Sequence, residues 1–309
     1  MKQWIFFVLL FCLIQGLRAQ EATLFSPVEF SELDSVEIRK LFRASKHDIW
    51  IGTKGKGIFR WREDHLAKLT SNQEGFLTGF IAIEEDADAN IWFGARGMMS
   101  INGESCRVLS EEVSSTVIFS FTIDRKGNLY AGGNRGFHQY SKKKEWLEIP
   151  ASKQLNHQVV HDLIVDKNQA WIATRKGGLN YIKKGKLLKS FLTESNCRKL
   201  LQLNNRDILV GTNNGVFRIN PKDELSTLVA GKLLLPEFED AKGDIWFSSE
   251  REGIIKYDGK QWWRIANEGV LTSQQVFTII DVEEELWLGT NAGLQRLSKA
   301  EIPWQKMNL

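Results

Sequence analysis

The sequence predicts an all-β protein, a seven-bladed β-propeller built from four-stranded antiparallel blades. Two observations indicate this fold class. The composition combines 25 glycines and 11 tryptophans with 5 prolines and a hydrophobic fraction of 42%, which favours tight turns and large aromatic packing units. A short phrase, usually an aliphatic residue, an aromatic residue and a glycine, also recurs about every 40 residues, the length of four short strands with their turns.

Seven copies of this phrase can be aligned along the chain. A parallel β-helix repeats with shorter coils, and a helical solenoid needs a 3.6-residue apolar stripe that no repeat shows. The seven blades therefore account for one domain, residues 20–309. The repeat cores lie near residues 49–61, 91–101, 129–140, 170–182, 208–219, 245–257 and 286–297.

Each repeat divides into four predicted strands. The first is apolar and ends in a polar turn, as in VIFSFTIDRKGN from Val117, and the second contains the repeated aromatic residue. The third follows a glycine-containing turn, and the fourth follows a hairpin signal such as Asn102-Gly103. Consecutive apolar residues, as in IWIG from Ile49, are typical of strands covered on both faces, as the inner strands of a blade are by the neighbouring blades.

The recurring tryptophans are predicted to be core residues, because they occupy one structural position in successive repeats. On a fourth strand, Trp262 and Trp263 are adjacent, so one is expected to be buried and the other exposed and able to stack on a sugar or a partner. The equivalent second-strand positions are Trp50, Trp92, Tyr130, Trp171, Leu209, Trp246 and Trp287.

Closure of the ring requires an outer strand for the seventh blade. Either the tail PWQKM at 303–307 supplies it, or the segment TLFSPVEF at 23–30 does so from the amino end. We expect the amino-terminal segment to close the blade, or both segments to share the edge, because joining the chain ends protects the last blade from fraying.

The first 19 residues are predicted to be a secretory signal peptide. They contain Lys2, an apolar run over residues 4–14, and Ala19 where a signal peptidase would cut. The alternative, a membrane anchor, needs about 20 apolar residues and this run is shorter. After cleavage no segment is long and apolar enough to span a membrane, so we expect export to a bacterial periplasm or beyond.

Charge and cysteine content exclude several classes of protein. The chain has 41 basic and 38 acidic residues, which fits neither a nucleic-acid-binding protein nor an acidic disordered tail.

Lipid attachment at Cys12 is disfavoured because bulky residues precede it. Cys106 and Cys197 are expected to be buried free thiols, with a disulfide between them as the alternative. Their isolation offers no metal-ligand spacing, and no cofactor or metal is expected.

The repeats resemble a known family. GVLTSQQVFTII from Gly269 followed by LWLGTNAGLQRL, and EDAKGDIWFSSEREGIIKYDG from Glu239, are similar to the two-component regulator propeller repeat found in exported sensor regions of bacterial hybrid histidine kinases. The resemblance implies a sensing or binding propeller, with an oligosaccharide as the expected ligand. Those kinases look like two propellers, an immunoglobulin-like domain, a membrane helix and a kinase. This chain has room for one propeller, so sensing would need a separate signalling partner.

A basic arc is the first candidate site. In a propeller, the turns between second and third strands surround one mouth of the channel, and several clustered cations there could bind an anionic ligand such as an acidic glycan. The alternative is that these are ordinary solvated turn residues, because single exposed ion pairs contribute about 0 to 1 kcal/mol. The candidate ligand-binding residues are Lys54, Lys56, Arg96, Arg135, Arg175 and Lys176 in blades 1 to 4, and Arg251 in blade 6.

His157 and His161 provide the best indication of an enzyme. Both are predicted on the channel-lining strand of blade 4, but positions four apart on a strand are separated by about 13 Å, too far to chelate one ion. A metal-dependent lyase or lactonase would need three or four converging polar groups, and these histidines with Glu237 give no convergent set.

DADAN at 86–90 is interpreted as a turn rather than a calcium loop. A scaffold of an envelope protein complex is a third alternative.

Overall fold

The computed structural model is an all-β propeller, as the sequence predicts. The expected signal peptide lies outside the described residues, and so do parts of the loops between blades. None of the helices in the described part of the chain is long and apolar enough to cross a membrane. The described residues are 25–70, 79, 82–103, 105–108, 116–140, 146–266 and 269–307.

Blades 1 to 3 are antiparallel sheets, and blade 1 carries a fifth strand at its outer edge. Their strands are β1 (Phe25–Pro27), β2 (Ile38–Arg43), β3 (Ile49–Thr53), β4 (Ile58–Arg62) and β5 (His65–Leu69) in blade 1, β6 (Ala82–Glu85), β7 (Ile91–Ala95), β8 (Gly97–Asn102) and β9 (Ser105–Val108) in blade 2, and β10 (Ile118–Ile123), β11 (Leu129–Gly133), β12 (Gly136–Tyr140) and β13 (Trp146–Glu148) in blade 3.

Blades 4 to 7 continue the pattern, with a fifth strand on blade 6 and three strands in the described part of blade 7. Their strands are β14 (Val160–Asp166), β15 (Gln169–Thr174), β16 (Gly178–Lys183) and β17 (Lys186–Phe191) in blade 4, β18 (Cys197–Gln202), β19 (Ile208–Thr212), β20 (Gly215–Ile219) and β21 (Leu225–Ala230) in blade 5, β22 (Leu235–Glu239), β23 (Ile245–Ser249), β24 (Gly253–Tyr257), β25 (Trp262–Ile265) and β29 (Trp304–Met307) in blade 6, and β26 (Val276–Val282), β27 (Glu285–Thr290) and β28 (Gly293–Ser298) in blade 7.

One strand of each blade lies innermost and lines the channel; these strands are β2, β6, β10, β14, β18, β22 and β26. Each innermost strand contacts the innermost strand of the next blade, and β26 of blade 7 contacts β2 of blade 1, which closes the ring. Short 3₁₀ helices occupy Phe30–Leu33, Pro150–Gln154 and Lys299–Glu301. The fold therefore brings polar side chains from distant repeats together along one channel.

The expected closure of blade 7 is wrong. Strand β1 pairs with β5, so the amino-terminal segment extends blade 1, and β29 pairs with β25, so the tail extends blade 6. Val28 and Phe30 pack against the cluster that contains Trp287, while Trp304 packs against the cluster around Leu286. Both chain ends thus cover the sides of blade 7 through hydrophobic contacts with its neighbours.

The glycine of the repeated phrase is required by the close approach of adjacent blades. A Cβ atom on Gly132 would lie 2.6 Å from Val160 Cγ1 on the innermost strand of the next blade, and one on Gly94 would lie 2.7 Å from Ile118 Cγ2. Real Cβ atoms do not approach other heavy atoms so closely. Small residues, Ala173 and Ser248, occupy the equivalent positions of blades 4 and 6.

Four of the five recurring tryptophans are buried core residues, as predicted, and the fifth, Trp171, is more exposed than predicted. Trp50, Trp92, Trp246 and Trp287 are each at most 5% exposed. Trp171 is half-buried and stacks on Tyr181, with 4.5 Å between ring centroids. On β25, Trp262 is buried and Trp263 half-buried. The expected burial of one tryptophan is confirmed, but Trp263 is half-buried rather than exposed, and its Nε1 donates to Asp258 Oδ2 at 2.8 Å.

DADAN forms a turn between β6 and β7, as predicted. Asp86 Oδ1 accepts hydrogen bonds from the backbone N–H groups of Asp88 and Asn90, at 3.0 and 2.9 Å, and Asp86 Oδ2 accepts one from Trp92 Nε1 at 2.8 Å. Asp240 accepts the same set of hydrogen bonds in blade 6. The aspartate thus ties the turn to the buried tryptophan.

The two described cysteines are free thiols. Cys197 is fully buried at the start of β18, and burial raises its pKa to about 12. Cys106 is half-buried on β9, which corrects the expectation that both thiols are buried. β9 is the outermost strand of its blade and faces solvent on one side.

Candidate binding site at the channel mouth

One face of the ring is defined by contacts between the second-to-third turns and the segments that enter the innermost strands. In blade 1 the backbone N–H of Lys54 donates to Glu37 O at 2.9 Å, and in blade 4 that of Arg175 donates to Val159 O at 2.9 Å. Blade 5 repeats the contact between Asn213 N and Asn196 O at 3.3 Å. These turns and the strand entries below them form the mouth of the channel.

A cavity of about 490 Å³ opens at this mouth, mostly over blades 3 to 5. We call it the mouth cavity. Four of its lining residues are basic types and two are asparagines, and none of the lining residues in the described part of the chain is acidic. Its lining residues are Phe119, His161, Arg175, Asn196, Arg198, Lys199, Asn213 and Leu235.

β-bulges aim side chains into the mouth cavity. The register of each innermost strand shifts at Phe119 in blade 3, His161 in blade 4 and Arg198 in blade 5. A bulge leaves its extra residue unpaired and reorients the side chain, so these three side chains line the mouth although the next residue of each strand keeps the regular register. Phe119 and His161 meet edge to face, with 5.8 Å between ring centroids.

The arginines of the mouth cavity have different partners. The Arg198 guanidinium donates to Glu250 Oε1 at 3.0 Å. Arg175 is exposed and its side chain forms no ion pair within the described residues. Arg175 therefore offers a cation to a ligand without first losing a protein partner.

His161 is held in one orientation by a backbone contact. Its Nδ1 lies 3.0 Å from the carbonyl oxygen of Cys197, an acceptor, so Nδ1 carries the hydrogen and Nε2 is left for other contacts. Burial lowers the pKa of His161, although the Cys197 hydrogen bond opposes the shift, and the charges of Arg198 and Arg175 lower it further. A bound anion would oppose this effect and favour the charged ring.

A second cavity, of about 600 Å³, extends along the channel below the mouth. Lys40, Asp162, Lys199 and Glu237 line it, so Lys199 borders both cavities. Lys199 Nζ forms a salt bridge with Glu237, whose Oε1 also accepts a hydrogen bond from Ser248 Oγ at 2.6 Å. Lys40, Asp162, Lys199 and Glu237, together with Glu84 of β6, are called the channel cluster below.

Burial in the channel shifts the pKa values of three cluster members. It lowers the pKa of Lys40, as does repulsion by Lys199. It raises the pKa of Glu84 to about 7, although the Lys40 ammonium opposes the shift. Burial also raises the pKa of Asp162, which accepts hydrogen bonds from the backbone N–H groups of Leu200 and Leu163 at 2.8 and 2.9 Å. The channel is thus lined by charges of both signs that interact at low solvent exposure.

The structure brings one residue of the predicted basic arc, Arg175, together with His161 in the mouth cavity. The other predicted cations lie in exposed turns, and Lys54 pairs with Glu37 at 3.0 Å. No contact in the described residues draws those other cations to the mouth cavity. They are Lys54, Lys56, Arg96, Arg135, Lys176 and Arg251.

His157 lies apart from the channel strand, which corrects the prediction that it belongs to that strand. It precedes Val160, where β14 begins, and its Nδ1 accepts a hydrogen bond from the backbone N–H of Val159 at 3.1 Å. Within the described residues, no group of three His, Cys, Asp or Glu side chains is arranged to hold a metal ion. Glu237 belongs instead to the channel cluster, in which carboxylates interact with the lysines Lys40 and Lys199.

No family model and no curated protein matches the chain. Solved structures do. The extracellular domain of BT4673 from B. thetaiotaomicron, assigned to a hybrid two-component system, superposes with a TM-score of 0.72 at 19% identity, over 89% of this chain and 39% of that one. The corresponding domain of BT3049 from the same organism gives 0.72 at 15% identity, over 89% and 41%. The chain therefore spans about two fifths of the length of these domains.

An enzyme shares the architecture too. Virginiamycin B lyase from Staphylococcus aureus superposes with a TM-score of 0.66 at 12% identity, over 89% of this chain and 98% of the lyase. Identities this low establish the fold alone. The propeller expected from the resemblance to the regulator propeller repeat is confirmed at that level, and function has to be argued from the site.

Proposed function

We propose that this protein is an exported, non-catalytic binding propeller that takes an acidic oligosaccharide, or another anionic ligand, in the mouth cavity. The observation that supports the proposal is the concave cluster of Arg175, Arg198, Lys199 and His161 around one cavity, which no acidic side chain of the described residues lines. Cations that act together in a concave, partly desolvated site attract an anion far more strongly than the same cations scattered over a surface.

The two asparagines of the cavity suit a ligand rich in hydroxyl groups. The Oδ1 atom of Asn196 is buried and has no hydrogen-bond partner within the described residues. An unpaired buried acceptor costs about 1 to 3 kcal/mol, and a ligand hydroxyl that donated to it would remove that cost. Asn213 lies beside it in the adjoining turn. Carboxylate and hydroxyl groups on one ligand are the chemistry of an acidic sugar.

The wider role is part of the same proposal. The extracellular domains from B. thetaiotaomicron have this fold, and the first residues of the chain have the composition of a signal peptide. These two observations support a location in the periplasm or outside the cell. A sensing role would require a membrane signalling or envelope protein that reads the liganded state.

Isothermal titration calorimetry of the purified chain tests the proposal. The probes are trigalacturonate, which is acidic, and maltotriose, which is neutral, each at about 20 and about 300 mM salt, roughly a tenfold range of ionic strength. We expect trigalacturonate to bind, more weakly at high salt, and maltotriose to bind at least about 10-fold more weakly at low salt. Equal affinity for both sugars, or none for either, would overturn the proposal and direct the search to protein partners.

A further inference from the structure

The contact between Lys199 and Glu237 lies at the boundary of the two cavities. Lys199 lines both the mouth cavity and the channel cavity, whereas Glu237 lines only the channel cavity of the two. The Glu237 side chain is 3% exposed and that of Lys199 is 21% exposed. The lysine is therefore the member of the pair that a ligand in the mouth cavity can reach.

Glu237 has other stabilising contacts besides Lys199. Ser248 Oγ donates to its Oε1 at 2.6 Å, and Lys40 from β2 interacts electrostatically with it. Removing a buried carboxylate's cation is costly unless other groups replace it. Because Ser248 and Lys40 remain, the loss of Lys199 to a ligand leaves Glu237 with a hydrogen bond and a cation.

We propose that Lys199 is the innermost anion-binding residue of the mouth cavity and that Glu237 is its internal counter-ion, which the acid group of the ligand displaces. This inference rests on the proposed function and specifies how the ligand enters. The ligand presents its acid group towards the channel while Arg175 holds the outer part. Because every anion must compete with Glu237 for Lys199, Glu237 lowers the affinity for all anions. Weakly charged ligands therefore do not displace it.

The residues around the pair are consistent with exchange of partners. His161 and Arg198 line the mouth cavity with Lys199, while Lys40 and Asp162 interact with the pair from the channel side. Glu84 interacts with Lys40 and Asp162. Glu239 and Asp281 lie further along the channel cavity. Moving the Lys199 ammonium towards the mouth reduces its repulsion of Lys40, which is one cause of the lowered pKa of Lys40.

The variant Glu237→Gln removes the competing charge and preserves the shape of the side chain. We expect it to bind trigalacturonate about 10-fold more tightly than the unchanged chain, since the ligand no longer displaces a carboxylate. Glu239→Gln is the matched control. Glu239 lines the same channel cavity but accepts its hydrogen bond from the backbone N–H of Asn204 at 2.7 Å, away from Lys199. It should change the affinity less than about twofold.

The outcomes separate this inference from the proposed function. If the unchanged chain binds no trigalacturonate, the proposed function fails and this inference fails with it. If the chain binds but Glu237→Gln has no larger effect than Glu239→Gln, this inference alone is overturned. Should Glu237→Gln not fold, a crystal structure of the unchanged chain with trigalacturonate decides. Lys199 Nζ is expected on the ligand carboxylate, and a retained Lys199 to Glu237 contact would refute the exchange.

Discussion

The Nδ1 atom of His161 lies 3.0 Å from the carbonyl oxygen of Cys197, and this contact joins the innermost strands of blades 4 and 5 at the channel mouth. His161 is the bulged residue of β14, so its ring leaves the regular strand direction and reaches the mouth cavity. The contact fixes which nitrogen carries the hydrogen in the neutral ring. It therefore makes His161 a group whose charge depends on what occupies the cavity.

We expect the affinity for trigalacturonate to rise as the pH falls from about 7.5 to 5.5, the range around the ordinary histidine pKa. Burial and the two arginines keep the pKa of His161 below its ordinary value of 6.5 in the ligand-free chain. A bound carboxylate favours the charged ring and raises that pKa. Calorimetry at both pH values measures the change, and an NMR titration of the ring with and without sugar assigns it to His161.

His161→Gln is the control for this pH dependence. It keeps a polar group in the cavity and removes the titration, so much of the pH dependence should disappear. A variant with the unchanged slope would show that another group, such as Glu84, carries it. Lower pH has the opposite effect on the folding stability of the ligand-free chain, which falls where the affinity for the ligand rises. Because the folded pKa of His161 lies below the unfolded one, the contribution of His161 to stability is full above about pH 6.5 and is lost as the pH falls from there through the lower, folded pKa.

Substitution of Arg175 separates the mouth cavity from the rest of the basic arc. Arg175→Ala removes a cation that lines the cavity, and we expect a loss of affinity for trigalacturonate of about 10- to 100-fold, the usual range for a charged hydrogen bond. Arg96→Ala removes an exposed arginine of the equivalent turn in blade 2 and should change affinity less than about twofold. Equal losses in the two variants would favour the whole arc as the binding surface.

The fold could be predicted from the sequence because its determinants are local and repeated. Each turn aspartate, such as Asp86 or Asp240, hydrogen-bonds within its own repeat, and each phrase glycine has a defined neighbour on the next blade. The closure could not be predicted in the same way. The strands β1 and β29 each had several blade edges to pair with, and the choice depends on packing against distant residues.

The candidate site could be predicted in part for a related reason. Arg175 lies in a turn whose position in the repeat is fixed, so the sequence locates it at the mouth. Arg198 and Lys199 lie on an innermost strand, where a one-residue shift of register moves a side chain to the other side. The bulge between Cys197 and Lys199 makes that shift. The sequence does contain an indication of these two site residues, because Arg198 and Lys199 are adjacent basic residues in a strand that is otherwise mostly apolar.

Removal of the Glu84 carboxylate is expected to stabilise the protein at alkaline pH. Burial raises the pKa of Glu84 to about 7 from its ordinary 4.5, so the unfolded chain ionises first. The contribution of Glu84 to stability is therefore full below about pH 4.5 and is lost as the pH rises towards 7. Glu84→Gln should have a higher free energy of unfolding than the unchanged chain at pH 8, with a smaller difference at pH 5.

Urea denaturation at the two pH values measures this effect. Glu284→Gln, which changes an exposed carboxylate of the turn between β26 and β27, is the control and should show no such pH-dependent gain. A Glu84→Gln variant less stable than the unchanged chain at pH 8 would mean that the attraction between Glu84 and Lys40 outweighs the cost of burial.

Loss of a turn aspartate should weaken a blade. Asp86 accepts hydrogen bonds from two backbone N–H groups and from the side chains of Asn90 and Trp92. Asp86→Ala leaves these donors without their acceptor, and we expect the free energy of unfolding to fall by about 1 to 3 kcal/mol. Asp88→Ala changes an exposed residue of the same turn and should cost less than about 0.5 kcal/mol. Urea denaturation of both variants tests the difference, and equal costs would contradict the role of Asp86.

The carboxyl-terminal strand should stabilise the ring through Trp304. Its ring meets that of Trp246 edge to face, with 5.5 Å between centroids, and the Lys256 ammonium lies 5.4 Å from its centroid. Trp304→Ala removes these contacts from a half-buried position, so we expect a loss of about 2 kcal/mol of unfolding free energy, less than for a fully buried aromatic residue. Gln305→Ala, at the next and exposed position, is the control. If both variants unfold at the same urea concentration, β29 does not contribute to the stability of blade 6, and closure would depend on the other strands alone.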